Sequence, residues 1–341
     1  MEAHGVTCFS CNCRSRASYP GGLIRLVRHL RRARIDILHT HLFEPAMVGL
    51  MAGHVARTPV RILTRHHSDY HTRINKRWHM ALDRLTTRLS HAVVAVSEHT
   101  RDHLIAVEGA PPHKVVVVHN GIDFNRVRSP DPNSRARIRN EFGAENSYLL
   151  LAVGRMHPEK GYQQLFRAMA GIKARADRPV HLLIAGTGPL LEYFRAEADR
   201  YGCGAEIKFL GFRNDVMDLM AAADLMVHCA VAEAFGLVLA EAVYLGTPVV
   251  ATRVGGIPEI ITDGLDGVLV PPTDSSALAD AVIDLLQNPA RRRRMIGAGR
   301  EKIQDRFRFE TMVQRYEALY EEMNPTRPTF RTGAVAAGGV L

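Results

Sequence analysis

The sequence predicts an α/β protein built from two parallel-sheet domains. Three observations carry this. Short apolar, β-rich runs alternate with helix-period stretches along most of the chain. The 341 residues suffice for two domains, each with its own core. The stretch 122–146, with Ser129, Pro130, Pro132 and Asn133, is polar and breaks the alternation, so the domain boundary falls there.

The first domain is expected over 1–124. Its strands read "IDILHTH" (35–41), "VRILTRHH" (60–67), "HAVVAVS" (91–97) and "KVVVVHNG" (114–121). Helical patterns lie at 21–34, 44–56, 72–90 and 98–108. In "LIRLVRHLRRAR" (23–34), Leu23, Ile24, Leu26, Val27 and Leu30 share one face, and five arginines take much of the rest. An interdomain linker is expected over 125–146 and a second domain over 147–305. Its strands read "YLLLAVGR" (148–155), "VHLLIAG" (180–186), "IKFLGF" (207–212), "ADLMVHC" (223–229), "TPVVAT" (247–252) and "DGVLVPP" (266–272), with helices between. The helix at 276–287 starts from an Asp-Ser pair, so Asp274 or Ser275 is its cap. "RRRR" (291–294) reads as a solvated helix face, and a last helix ends at 323. The Gly/Ala/Pro/Thr tail, 324–341, reads as disordered.

Hydrophobic content of 46% and charged content of 23% describe a soluble globular chain. Asp224, His228 and Glu233 interrupt the longest apolar runs, so no membrane span is expected. Met1 is followed by Glu2 and His4, without the basic and apolar regions of a signal peptide, and the expected location is cytoplasmic. Cys8, Cys11 and Cys13 form CxxCxC. A zinc site would need His4 or the distant Cys203 and Cys229, so the expectation is a strand with free thiols and no metal. Of the net charge of +9, residues 1–124 carry +8, with 14 of the 17 histidines. The partner of this domain is therefore anionic: a phosphorylated substrate or an acidic membrane surface. Nucleic acid is not an expected partner.

Four loops at strand carboxyl ends carry the chemistry, where open α/β sheets bind ligands. "EAFGLVLAE" (233–241) follows the fourth strand of the second domain. Gly236 permits close backbone approach, and the helix after it offers free N–H groups to an anion. Glu233 and Glu241 can accept bonds from sugar hydroxyls; alone, they read equally as a capping acid and a surface acid. "VGRMHPEKG" (153–161) brings Arg155 and Lys160, suited to a diphosphate leaving group, though such a pair by itself is more often surface charge. "AGTGPL" (185–190) holds Gly186 and Gly188 but lacks the third glycine of a dinucleotide fingerprint. "RVGGIPEII" (253–261) holds Gly255 and Gly256, able to wrap a ligand.

Together these motifs resemble the retaining glycosyltransferases of family 4, with the GT-B fold of two Rossmann-like domains facing a cleft. The GR-x4-KG loop is matched by Gly154, Arg155, Lys160 and Gly161, and E-x7-E by Glu233 and Glu241 with Phe235 and Gly236 in place. "GTPVVA" (246–251), the GG-x-x-E loop (255–259), "NGID" (120–123) and the final helix (306–323), which in the family crosses back to the first domain, also match. The resemblance implies that Arg155, Lys160, Gly236 and Leu237 hold the donor diphosphate. It places Glu233 on the transferred sugar and Glu241, with Gly186 and Gly188, at the nucleotide. "TRHH" (64–67) aligns with a strand end that carries an active-site histidine, His66 first and His67 second. His39, His41, Phe235, Gly255 and Gly256 are cleft-lining candidates.

The family's opening strand and glycine-rich loop have no counterpart in this sequence, so the first domain is expected to lack its opening strands. The expected function is metal-independent, retaining transfer of a sugar from a nucleoside-diphosphate sugar to an acceptor hydroxyl. No cofactor is implied. The acceptor is a glycan or lipid-linked sugar, and peripheral contact with an anionic membrane is expected. The alternatives are an inactive nucleotide-sugar-binding remnant or a nucleotide-sugar epimerase.

Overall fold

Each strand expected within the two sheets forms, and most are shorter than their apolar runs because polar and glycine ends turn out of the sheet. The computed structural model describes residues 7–13, 15–67, 77–125, 127, 131 and 133–324. In the first domain, α1 (Tyr19–Arg32), β1 (Ile37–His41), α2 (Phe43–Ala56), β2 (Val60–Arg65), α3 (Arg77–Leu89), β3 (Ala92–Ala95), α4 (Glu98–Ala106) and β4 (Val115–Val117) follow in order. The strands pair in chain order, all parallel. Period-2 alternation fills both faces. Leu63, Val93 and Ala95 pack with Leu50 and Leu104 on one face, and Ile62, Ala92 and Val94 form the other.

The polar stretch after residue 122 is more than a linker. It contains α5 (Ser134–Glu141), whose Ile138 is fully buried in the core of the second domain. Arg135 and Arg139 both pair with Asp224. Two arginines sharing one acid, a third, Arg137, on Asp218, and one buried isoleucine attach the helix to that domain despite its polar sequence.

The second domain runs through β5 (Tyr148–Val153), α6 (Tyr162–Arg175), β6 (Val180–Ala185), α7 (Leu191–Arg200), β7 (Ile207–Gly211), α8 (Val216–Ala222) and β8 (Leu225–His228). It continues with α9 (Leu237–Leu245), β9 (Val249–Thr252), α10 (Ile257–Ile260), β10 (Val268–Val270), α11 (Ser275–Gln287) and α12 (Pro289–Arg306). Its parallel sheet has the order β10-β9-β8-β5-β6-β7. Asp274 caps α11, its carboxylate accepting from Ala277 N at 2.9 Å.

The chain then returns. Ile122 N donates to Phe307 O at 2.7 Å, and Phe309 N to Ile122 O at 3.1 Å. Beyond this crossing, α13 (Phe309–Met323) lays Met312, Tyr316 and Leu319 on the Ile62–Val94 face of the first sheet. The tail 325–341 lies outside the described residues.

Other expectations change. Residues 7–13 form no strand, and their backbone runs along α1, where Arg25 donates to Cys11 O. His4 lies outside the described residues. Among the described residues no group of three His, Cys, Asp or Glu side chains is placed to hold a metal ion. On α1, Val27 and Leu30 are buried but Ile24 is half-exposed, so the apolar face is narrower than the sequence suggests. Arg31 donates to Val55 O. The run 291–294 is only partly solvated: Arg291 pairs with Asp284, and Arg292 donates to Leu285 O and Leu286 O.

Candidate active site

The strand order of the second sheet decides which loops meet. β5 and β8 are neighbours, and the chain leaves them towards opposite edges, which opens a crevice at their carboxyl ends. Arg155 and Lys160 follow β5, and Glu233 follows β8. Val231 N donates to Glu159 O at 2.8 Å and ties the two loops together.

Glu233 is held from two sides. Lys160 Nζ donates to its Oε2 at 2.6 Å, and His228 Nε2 donates to the same oxygen at 3.1 Å. Burial alone would raise the Glu233 carboxyl, but the His228 bond and the Lys160 charge outweigh it and hold it at about 2. Burial pushes fully buried His228 down, so it serves as a neutral donor. Lys160 faces the cavity already paired. Arg155 is largely exposed and donates to Glu159 Oε1 at 2.7 Å.

The first turn of α9 adds backbone donors. Gly236 takes φ 104°, a conformation open to glycine, and leads directly into the helix. Gly236, Leu237 and Val238 wall a cavity of about 310 Å³ together with Arg155, Lys160, Asn120 and His66. Glu241 lies on the second turn, outside that wall. It makes no side-chain hydrogen bond among the described residues, and burial raises its carboxyl. Phe235 touches the same cavity but is 2% exposed, packed against His119 and Phe307. It is a floor more than a contact surface.

The glycine loops join loop to loop. Gly255 has φ 54°, and a Cβ there would lie 1.6 Å from Glu233 O. Gly256 N donates to that same oxygen at 3.1 Å, so this turn fixes the Glu233 backbone. A Cβ at Gly186 would lie 2.0 Å from Gly154 O, and one at Gly188 would lie 2.6 Å from Met156 O. These two glycines press against the Arg155 loop, which is why the positions tolerate no side chain.

The first domain supplies the opposite wall. His66 and His67 stand just past β2 and line a cavity of about 400 Å³ with Leu42 and Phe43; Arg155, His157, Lys160 and Glu233 face them. His67 Nε2 lies 3.2 Å from Asp83 Oδ1, and Asp83 also pairs with buried Arg65. Arg65 reaches Glu108 as well, at 3.0 Å. His41 Nδ1 is 3.0 Å from His66 Nε2, and His39 lies deeper, against His41. Burial first, then His41 and His67, push His66 down to about 4. It is neutral at ordinary pH.

Sequence reasoning gave no site role to His228 and His157, nor to Asn120 and Glu259, which it matched only as parts of the NGID and GG-x-x-E motifs. His228 carried a signal, a histidine at a strand end five residues before an acid. Glu259 was the acid of the GG-x-x-E loop, but its partners lie in the other domain. It reaches across the domains, accepting from Glu98 N at 3.0 Å, His99 N at 3.1 Å and His119 Nε2 at 2.8 Å. A carboxylate of the second domain thus caps α4 of the first.

The cleft therefore offers two cations, a helix N-terminus, an ionised carboxylate and a neutral imidazole. Such a set suits a ligand with phosphates at one end and hydroxyls at the other. Residues 134–302 match the family described as Glycosyl transferases group 1, and residues 4–126 match Glycosyltransferase Family 4. The chain is 29% identical over 304 residues to N-acetyl-alpha-D-glucosaminyl L-malate synthase of Bacillus anthracis, covering 86% of this chain and 76% of the relative. It is 30% identical over 306 residues to phosphatidyl-myo-inositol mannosyltransferase of Mycobacterium leprae, covering 87% and 76%. Among solved structures, Anabaena HepE in complex with UDP and glucose superposes with a TM-score of 0.81 at 24% identity, over 88% of this chain and 81% of that one.

Proposed function

Because the chain belongs to the group 1, family 4 glycosyltransferases, enzymes of the GT-B fold, we propose that it moves a sugar from a nucleoside diphosphate to an acceptor hydroxyl, with retention and without a metal. The observation that carries this reading is the shared cavity wall, with Lys160 and Glu233 from one domain facing His66 from the other.

In this reading the bond from the anomeric carbon to the β-phosphate oxygen breaks, and the acceptor oxygen bonds to the same face. The departing phosphate takes the acceptor proton. Lys160, Arg155 and the first turn of α9, at Gly236 and Leu237, stabilise the charge that grows on it. These fixed cations do the work a divalent ion would otherwise do. Glu233, kept ionised, accepts from hydroxyls of the transferred sugar. Neutral His66 exchanges a hydrogen bond with the same sugar. Glu241, partly buried and unpaired among the described residues, accepts from the ribose.

The acceptor is an anionic hydroxyl compound, lipid-linked acceptors included. The +8 charge of residues 1–124 supports this, and so do the printed names of two relatives, which contain L-malate and phosphatidyl-myo-inositol. Among the described residues no helix is long and apolar enough to cross a membrane. Peripheral attachment at the cytoplasmic face would then use the exposed Arg28, Arg32 and Arg34 at α1.

Calorimetry with UDP and with GDP tests the donor site. One of the two should bind equally well with and without EDTA. Binding that chelation abolishes, or no binding of either, would overturn the metal-independent reading.

A further inference from the structure

A line of polar contacts starts at His66 in the cavity wall and ends on α13, far along the chain. His66 Nε2 meets His41 Nδ1 at 3.0 Å. The His41 ring lies on the His39 ring with centroids 4.2 Å apart. His39 is gripped at both nitrogens: Nδ1 lies 2.6 Å from the Tyr320 hydroxyl and Nε2 2.7 Å from Thr64 Oγ1. Thr64 Oγ1 is in turn 3.3 Å from the Tyr316 hydroxyl. Tyr316 and Tyr320 are four residues apart, so one face of α13 presents both hydroxyls.

We propose that Tyr320, seconded by Tyr316, is a positioning residue for His66. By clamping His39 beneath His41 it fixes the ring orientation of the histidine in the cavity wall. The inference rests on His66 belonging to the sugar-transfer site.

The protonation states make the clamp directional. Burial, then His41 and His66, push His39 down to about 3, and burial lowers His41 too. All three imidazoles are neutral at ordinary pH, and each then has one donor and one acceptor. Burial pushes Tyr320 up to about 12, so it keeps its proton and donates it. Donation by Tyr320 into His39 Nδ1 leaves the His39 proton on Nε2, pointing to Thr64. The ring that supports His41 is locked, and His41 and His66 share a single proton between Nδ1 and Nε2. The other charges near His66 act from outside this chain of contacts. Arg155 and Lys160 face it across the cavity, with Glu233 already paired to Lys160, and Asp83 holds His67 and Arg65 below. Because α13 begins at the crossing between the domains, the helix that links the two halves also sets the histidine.

The test uses the full chain with Tyr320→Phe, which keeps the ring and removes the hydroxyl. Histidine side-chain NMR gives a titration curve for each imidazole, assigned with His39→Gln, His41→Gln and His66→Gln. Loosening the clamp admits water, so the His66 midpoint should rise from about 4 toward the ordinary value near ~6.5. Turnover at neutral pH should fall about tenfold or more with donor KM changed less than about twofold, and the loss should deepen on the acid side. Tyr316→Phe should act in the same direction and less. An unmoved His66 midpoint, or a loss of turnover uniform across pH, overturns the proposal. If the unsubstituted protein transfers no sugar, the functional reading fails, and the NMR midpoint still decides whether Tyr320 governs His66.

Discussion

Lys160 and Glu233 form the ion pair at the centre of the cleft wall. They are 15% and 16% exposed, so removing one partner leaves the other poorly solvated. Lys160→Ala should weaken nucleoside-diphosphate binding by about 1.5–3 kcal/mol, the range for a hydrogen bond to a charged group, as read by calorimetry. Glu233→Gln should reduce turnover far more than nucleotide affinity, whereas Glu241→Gln should reduce nucleotide affinity. Equal losses of affinity in both variants would remove the division of roles. Glu233 also makes a pH prediction. Its carboxyl is held at about 2 in the fold, below the unfolded value near ~4.3. It therefore stabilises the protein fully above that unfolded value, and the contribution fades as pH falls towards the folded one. Urea denaturation should show Glu233→Gln costing most at neutral pH and progressively less in acid. A difference independent of pH would mean that the ion pair adds no net stability.

Single carboxylates also join elements. Glu259, on the short helix α10, caps α4 of the other domain and bonds His119 beside it. Glu259→Gln should cost about 1–2 kcal/mol, the upper range of helix capping, and loosen the domain arrangement. A lower melting temperature together with a larger radius in small-angle scattering would show both effects. An unchanged radius would confine Glu259 to local stability. At the other end of the first domain, α1 and the turn after it keep Arg28, Arg32 and Arg34 exposed, whereas Arg25 and Arg31 are spent on backbone carbonyls. Charge reversal at Arg28, Arg32 and Arg34 should abolish salt-sensitive co-sedimentation with anionic vesicles, each arginine contributing about 1 kcal/mol. Equal binding to neutral vesicles would assign these arginines to ordinary surface.

At the scale of the molecule, the two sheets were legible because parallel strands buried on both faces read as continuous apolar runs, such as Leu149 to Val153 and Val249 to Ala251. Some residues of the cleft wall were legible too, since Arg155, Lys160, Glu233 and Gly236 each follow a strand. Their neighbours were not. Nothing local says that β5 lies beside β8, yet that adjacency places Lys160 against Glu233. The same holds for α5, polar in sequence and attached by one isoleucine and three arginines, and for Tyr316 and Tyr320, which reach His39 from more than two hundred residues away. Long-range pairing is invisible to periodicity, and it is what assembles the cleft. The central claim is that this cleft transfers sugar with retention. NMR of reactions in EDTA, with α-configured UDP- and GDP-sugars and a panel of hydroxy acids and polyol phosphates, tests it most directly. A retaining cleft gives a product whose new glycosidic bond keeps the α configuration of the donor. A β-linked product, or a donor that is only hydrolysed or epimerised in the presence of every acceptor, would contradict it.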